Sequence, residues 1–284
     1  MADTNVSLVN LGDLSMPATV LIEKVSDAVG AIFLPTQIIR VAKAKAEADK
    51  TKAITQIEID DLKMRALNRV LKEESDKQKN IESITAKAIP LLEEGSKPNE
   101  FDKDWLVNFF DKAKLISGSE MQELWGKILA GEANMPGTYS RRTINQVASL
   151  DKQDAEIFST LCNFIWEFSG VYYPFILDLD AEVYKKNGIT FPKLKHLDSI
   201  GLVSFEPLSG YRFREQKGSK QLSYMGKPVN VKFVDGEKSD LSIGTVILSN
   251  VGQELSHVCN IKKIPDLYKY VIETWKSQGN LVEN

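Results

Sequence analysis

The feature that most constrains the fold is a stretch without helix breakers, from Thr36 to Lys79, that contains no glycine and no proline. Alanine, lysine and glutamate, all strong helix formers, dominate its first part. As one continuous helix the stretch would form a rod of about 60 Å, at about 1.5 Å of rise per residue. Such a rod is longer than a core of this size can cover. The sequence therefore predicts an extended helical arm.

We expect the arm to span residues 18–98 and to follow a flexible N-terminus at residues 1–17. The second half of the stretch carries a partial apolar stripe at Ile54, Ile57, Met64, Leu67, Val70 and Leu71. Asp60 and Asp61 interrupt this stripe, which falls short of the three or four heptads that indicate a coiled coil. The simplest interpretation is a solvated helix that packs only in part. The alternatives are an oligomerisation arm or a basic helix on a membrane surface.

The composition is that of an ordinary folded chain. The 284 residues are 43% hydrophobic and 26% charged, and 36 basic against 39 acidic residues give a net charge of -3. Two cysteines and two histidines are too few for a disulfide framework or a histidine-based metal centre. Phosphate-loop, dinucleotide and nucleophile-elbow motifs do not occur in the sequence. We expect no cofactor and no metal.

Targeting signals are also missing from the sequence. The first residues lack a basic region followed by an apolar core, and charges interrupt the apolar run from Ala18 to Phe33. We therefore expect a cytoplasmic protein. Insertion of Ala18–Phe33 at a membrane interface stays an alternative, although its apolar face is typical of a helix that packs on the next domain.

Residues 99–170 are predicted to form a compact helical bundle. Apolar residues recur at helical spacing in DKDWLVNFFDKAKLI, SEMQELWGKILAGEA, SRRTINQVASL and DKQDAEIFSTLCNFIWEF. Ser119 followed three residues later by Gln122 has the pattern of a capping box. Cys162 is interpreted as a small apolar core residue rather than a nucleophile.

Residues 171–284 change character and are predicted to form an α+β module. Short strand patterns such as LVSF, GYRF, PVNVKFV and GTVILS alternate with glycine, proline and aspartate, and helix patterns flank them. One helix of this module is followed by the run Leu194-x-x-Leu197-x-x-x-Gly201-Leu202-Val203. After this run come a strand, a basic hairpin and a further strand. This order is typical of a winged helix.

The α+β module is locally basic. Between Lys185 and Lys232 there are ten basic and three acidic residues, a local charge of +7. Tyr211, Phe213 and Tyr224 lie among them. A basic helix beside a basic hairpin is able to straddle a phosphate backbone. The candidate contact residues for nucleic acid or a protein partner are Lys193, Lys195, Arg212, Arg214, Lys217 and Lys220. The alternative is a solvated hairpin that contacts protein.

The loop PGTYSRRT is a second candidate site. Ser140 is placed to cap the next helix, whose free N–H groups favour an anion, and Arg141 and Arg142 add two guanidinium groups suited to phosphate or carboxylate. We favour the alternative of a structural capping motif, in which the arginines pair with Glu132 or a nearby helix.

One enzymatic pattern is present. Asp178, Asp180, Glu182 and Lys185 are similar to the acid–acid–lysine set with which nucleases hold a divalent ion. The spacing is poor, and Glu182 and Lys185 fit a helical ion pair equally well. A metal-dependent nuclease is therefore kept only as a second alternative.

Two stretches carry a family resemblance. DWLVNFFDKAKLISGSEMQELWGKILAGEANMPGTYSRRTINQVASLDKQDAEIF and EIDDLKMRALNRVLKEESDKQKNIESITAKAIPLLEE resemble an uncharacterised bacterial family, the domain of unknown function 2806. The same ground plan more loosely resembles the abortive-infection alpha proteins of phage resistance. The matching pieces are Glu123-Leu124-Trp125, Leu129-Ala130, Leu150-Asp151 and Asp154-Ala155. Neither resemblance implies a catalytic residue.

Together these patterns predict a mainly α protein with a C-terminal α+β part: a long N-terminal helical arm, a central helical bundle and a winged-helix-like module. The expected function is non-enzymatic interaction in bacteria, in phage defence, by a homo-oligomer formed through the arm. The basic module would sense nucleic acid or a phage or host protein. The first alternative is a winged-helix DNA-binding regulator.

Overall fold

The computed structural model describes residues 14–30, 61–214, 216–233, 240–279 and 281–283. The chain divides into two compact units, Met1–Ala148 and Ser149–Asn284. The described part of the first unit is helical, and the second unit combines helices with antiparallel strands, so the fold is mixed α and β. Residues 31–60 of the predicted arm, and most of the predicted flexible N-terminus, lie outside the described residues.

The described part of the first unit consists of helices and two single 3₁₀ turns. Ser15 caps the first helix, which has Pro17 in its first turn, and Gly30 ends it. Single 3₁₀ turns at Ile89–Leu91 and Pro98–Glu100 lead from the long helix into the bundle. The helices are α1 (Met16–Val29), α2 (Asp61–Ala88), α3 (Lys103–Ala113), α4 (Ser119–Asn134) and α5 (Arg141–Val147).

Aromatic side chains fill the core of the first unit. Trp105 stacks on Phe109 at 5.1 Å between ring centroids, and Phe109 meets Trp125 edge to face at 5.0 Å. Trp105 Nε1 donates a hydrogen bond to the Tyr139 carbonyl at 2.6 Å. Because α2 and α4 pack against this cluster, Ile84 of α2 is fully buried.

The predicted capping box at Ser119 is wrong. Ser119 is the first residue of α4, and Gly118 caps the helix without a side-chain hydrogen bond. Gln122 is buried instead, where it donates to the Ile116 carbonyl at 2.8 Å and accepts from Ser83 Oγ at 2.7 Å. A buried amide needs such partners, and the α2–α4 interface supplies one that a local pattern does not reveal.

The second unit alternates helices with short strands. Its helices are α6 (Lys152–Cys162), α7 (Glu182–Lys185), α8 (Phe191–Ser199), α9 (Asn250–Ser256) and α10 (Leu267–Ser277). Its strands are β1 (Ile165–Phe168), β2 (Val171–Pro174), β3 (Val203–Phe205), β4 (Tyr211–Phe213), β5 (Gly218–Tyr224), β6 (Lys227–Phe233), β7 (Leu241–Gly244), β8 (Val246–Leu248) and β9 (Leu281–Glu283).

The prediction of helix through Phe168 is wrong. The helix ends at Cys162, and Ile165–Phe168 is strand β1, paired antiparallel with β2. Ser169 and Gly170 between them both have positive φ, as a two-residue hairpin turn requires. The aromatic and β-branched residues on either side of a Ser-Gly pair are the sequence signal for this hairpin.

The strands from β3 to β8 form one long interrupted hairpin. β3 pairs with β8, β4 with β7 and β5 with β6, all antiparallel, and the turn lies at Met225-Gly226. Its outer half joins β1, which gives a five-stranded sheet in the order β2-β1-β5-β6-β9. The predicted basic hairpin therefore belongs to this long ribbon.

The core of the second unit surrounds Trp166. Its ring lies 5.2 to 5.7 Å from those of Phe175, Tyr224, Tyr268 and Trp275. Trp275 Nε1 donates to the Ser242 carbonyl at 2.9 Å and so fixes α10 to β7.

In the described part of the chain, no helix combines the length and the apolar character needed to cross a bilayer.

Candidate interaction surfaces

Four of the predicted basic residues follow one another along the β4–β5 segment. Arg212, Arg214 and Lys217 are exposed, and Lys220 on β5 is half-buried. Phe213 packs against Phe168 and Tyr173, with ring centroids 4.7 and 5.0 Å away. Because side chains alternate along a strand, Arg212 points away from that aromatic contact. None of the four cations has an ion-pair partner among the described residues.

The two predicted lysines on α8 differ from these four, because both are engaged locally. Lys193 Nζ donates to the Gly188 carbonyl at 2.9 Å. Lys195 Nζ forms an ion pair with Asp198 at 2.7 Å, and its hydrogen bond is the main reason that the pKa of Asp198 lies below its ordinary value. Among the described residues, Lys195 is therefore the only one of the six candidate cations that is paired with a carboxylate.

The loop before α5 is held by polar contacts of its own. Glu132 is buried and accepts hydrogen bonds from the Gly137 amide at 2.7 Å and the Tyr139 amide at 2.9 Å. Ser140 caps α5 by accepting from the Thr143 amide at 3.2 Å. Arg141 and Arg142 are exposed and form no ion pair within the described part of the chain. These contacts account for the loop conformation without a bound anion.

Helix α2 has two unlike halves. Its C-terminal half is buried, at Ile81, Ile84, Thr85 and Ala88. The same helical face continues into the N-terminal half, where its apolar side chains meet water. The exposed fractions there are 38% for Leu67, 47% for Val70 and 46% for Leu71. Met64 is half-buried one turn earlier. We call Met64, Leu67, Val70 and Leu71 the arm stripe.

The carboxylates of the nuclease alternative do not converge. Asp180 forms an ion pair with Lys185 at 2.9 Å, and its amide donates to Asp178 Oδ1 at the same distance. Glu182 pairs with Lys186 at 3.8 Å. The described residues hold no group of three or more His, Cys, Asp or Glu side chains arranged to bind a metal ion. The acidic pattern in the sequence corresponds to local ion pairs around α7.

One cavity of the second unit brings together residues from several elements. Glu167, Tyr172, Ser223, His257 and Cys259 line a cavity of about 310 Å³. The Tyr172 and His257 rings meet edge to face at 5.3 Å. The lining residues come from β1, β2, β5 and the end of α9. No local pattern signals the whole site, because it forms only where the end of α9 meets β1, β2 and β5.

A family model described as Protein of unknown function (DUF2806) matches residues 64–272. The chain belongs to this family. The DUF2806 match begins within α2, at the arm stripe, and ends within α10, so it includes the basic segment. No curated protein and no solved structure matches the chain. The predicted membership of DUF2806 is confirmed, and the looser resemblance to abortive-infection alpha proteins stays a prediction.

Proposed function

We propose that this DUF2806 protein is a non-enzymatic bacterial interaction protein. It self-associates through its helical arm and contacts nucleic acid or a protein partner through the basic C-terminal module. The observation that carries the proposal is the exposure of the arm stripe, which lies on the same face of α2 as the buried residues Ile81, Ile84 and Ala88. Function of this kind needs surfaces rather than a reaction centre.

The hydrophobic effect favours covering the exposed arm stripe. Each square ångström of apolar surface removed from water contributes about 25 cal/mol. Met64, Leu67 and Leu71 lie three and four residues apart, which is the spacing of knobs in a helix pair. A second copy of α2 presents the same spacing and is therefore a suitable cover for the stripe.

Self-association is tested by light scattering of the purified chain at tens of micromolar. We expect a dimer or larger species for the native protein and a monomer for Leu67→Glu combined with Leu71→Glu. Leu208→Glu is the matched control, because Leu208 is 96% exposed and lies outside the arm. A native protein that stays monomeric at these concentrations would contradict the proposal.

Polyanion contact is supported by the cations of the β4–β5 segment, which have no ion-pair partner among the residues that the structure describes. Helix α8 is followed by β3 and by a long basic ribbon that returns as β8. We infer a winged helix and its wing from this order. Cations without acidic partners displace the counterions of a phosphate backbone at little cost. A DNA-binding regulator is the alternative form of the same proposal.

Mobility shifts with unrelated duplexes at two salt concentrations test this contact. We expect binding that weakens steeply with salt, and a loss of about tenfold or more for Arg212→Glu combined with Arg214→Glu. Lys103→Glu, an exposed charge reversal in the first unit, is the control. If the native chain gives no salt-sensitive shift, the basic module serves a protein partner instead.

Phage defence is the biological setting that we propose, and the resemblance to abortive-infection alpha proteins supports it. Expression in a phage-sensitive bacterium should lower plaque counts, and the double substitution in the arm stripe should restore them. Equal plaque counts with and without the protein, over a panel of unrelated phages, would count against this setting. Interaction through the arm stripe would then be judged by light scattering alone.

A further inference from the structure

The two cysteines of the chain are far apart in the sequence and neighbours in the second unit. Cys162 ends α6 and is fully buried, whereas Cys259 follows α9 and is partly exposed. The Lys262 amide donates to Asn163 Oδ1 at 2.6 Å. Asn163 follows Cys162 directly, so this hydrogen bond joins it to the segment that follows Cys259. Tyr224 Oη donates to the Asn163 carbonyl at 3.0 Å and strengthens this junction.

The two thiols differ in access. Cys259 is partly exposed and lines the cavity of about 310 Å³ together with Glu167 and His257, so a small solute is able to reach this residue. Cys162 is fully buried. Burial raises the pKa of the Cys162 thiol, and its interaction with the neighbouring Cys259 thiol raises it further. Cys162 is therefore a buried, neutral thiol that lies next to the accessible residue Cys259.

We propose that Cys162 and Cys259 form a reversible oxidative modification site, at which a small peroxide oxidises Cys259 and Cys162 then closes a disulfide. In the first step the Cys259 thiolate attacks a peroxide oxygen, the O–O bond breaks, and a sulfenic acid and hydroxide form. In the second step the Cys162 sulfur attacks the sulfenic sulfur and the S–O bond breaks, while the thiol proton of Cys162 passes to the departing oxygen, which leaves as water. The two electrons lost by the thiols reduce the peroxide, and hydrogen peroxide is converted to two molecules of water.

The disulfide would tie the end of α6 to the segment between α9 and α10. That bond closes a loop containing every strand from β1 to β8. Closing a long loop restricts the unfolded chain, so the oxidised protein should melt at a higher temperature than the reduced protein. The modification is independent of the arm stripe and of the β4–β5 cations.

The test treats the reduced full-length protein with hydrogen peroxide and measures intact mass under denaturing, non-reducing conditions. We expect the mass to fall by two hydrogens, both free thiols to disappear, and a peptide containing the Cys162–Cys259 bond to be recovered after proteolysis. A thiol reductant should restore both thiols. Retention of both thiols, or bonds only between chains, would overturn the proposal.

Two variants separate the roles of the cysteines. Cys162→Ser should accumulate a sulfenic acid at Cys259, trapped by a dimedone-type reagent, because no second thiol is in reach. Cys259→Ser should leave Cys162 unreacted in the folded state, and circular dichroism checks that each variant is folded. Oxidation of Cys162 in Cys259→Ser at the rate of the native pair would contradict the assigned order. If a variant fails to fold, the peptide recovered from the native chain still decides whether the bond forms.

Discussion

Asp154 joins two helices of the second unit through one carboxylate. Its Oδ2 accepts from the Asp151 amide at 2.9 Å and completes the capping box of α6, and its Oδ1 accepts from His196 Nε2 of α8 at 2.6 Å. Burial raises the pKa of Asp154, but the hydrogen bonds from His196 and the Asp151 amide outweigh it and hold that pKa below its ordinary value. The charged carboxylate is therefore the form that stabilises the fold.

The lowered pKa of Asp154 predicts how the stability cost of Asp154→Asn depends on pH. A group whose pKa is depressed in the folded state contributes stability above its unfolded pKa and loses it as the pH falls. Replacement by the neutral amide should cost about 1–2 kcal/mol near neutral pH. The difference from the native protein should shrink below about pH 4. Urea unfolding at pH 7 and pH 3 measures it, and an equal cost at both would contradict the assigned role of the charge.

Gly244 is required by a close approach of two backbones. Its φ is +100°, and a Cβ there would lie 2.2 Å from the Ile176 carbonyl oxygen. Gly244→Ala should destabilise the second unit by at least about 2 kcal/mol, because the alanine is both strained and overlapping. Gly95→Ala is the control, since a Cβ there meets nothing within 4 Å. Thermal unfolding of both variants measures the difference. Equal melting temperatures would contradict the predicted close approach at Gly244.

At the scale of elements, substitutions in the two halves of α2 should have different effects on stability and self-association. Ile84→Ala leaves a cavity in the first unit and should cost about 2–5 kcal/mol of unfolding free energy. Val70→Ala, on the exposed half, should change that free energy by less than about 0.5 kcal/mol but weaken self-association. Denaturant unfolding combined with light scattering separates the two effects. A large loss of stability in Val70→Ala would show that the arm stripe is covered within one chain.

Elements with a complete local signal were predictable from the sequence. α8, β3 and β6 lie where periodicity, proline and glycine indicated them, because their burial patterns follow the helical and strand repeats. The sequence predicts helix at β1 because IWEF continues the apolar spacing of α6, and only pairing with β2 and β5 decides its conformation. Short apolar runs carry too little periodicity to separate strand from helix.

At the scale of the whole molecule, residues distant in the sequence determine most of what could not be predicted. Glu167 pairs with Ser223 in the sheet, and the Tyr172 amide donates to Gln253 Oε1 at 3.1 Å. The cysteine pair and the cavity depend on the same long-range contacts. The six candidate cations were identified by charge alone, which does not reveal that Lys193 and Lys195 are engaged on α8.

The division into two units predicts that the two proposed surfaces can be separated. Residues 1–148 contain the arm stripe with the Trp105–Trp125 core, and residues 149–284 contain the β4–β5 cations with the Trp166–Trp275 core. Because each unit buries its own aromatic cluster, each fragment expressed alone should unfold cooperatively. The near-UV circular dichroism of fragment 149–284 should weaken in Trp275→Phe, because Trp275 meets Trp166 edge to face at 5.6 Å.

The binding assays should then divide between the fragments. We expect fragment 1–148 to self-associate in light scattering without shifting a duplex, and fragment 149–284 to shift a duplex in low salt as a monomer. The physical reason is that hydrophobic association needs only the arm stripe, whereas phosphate contact needs only the local positive charge. Folded fragments that are inactive separately and active when mixed would show that each surface requires both units, contrary to this prediction.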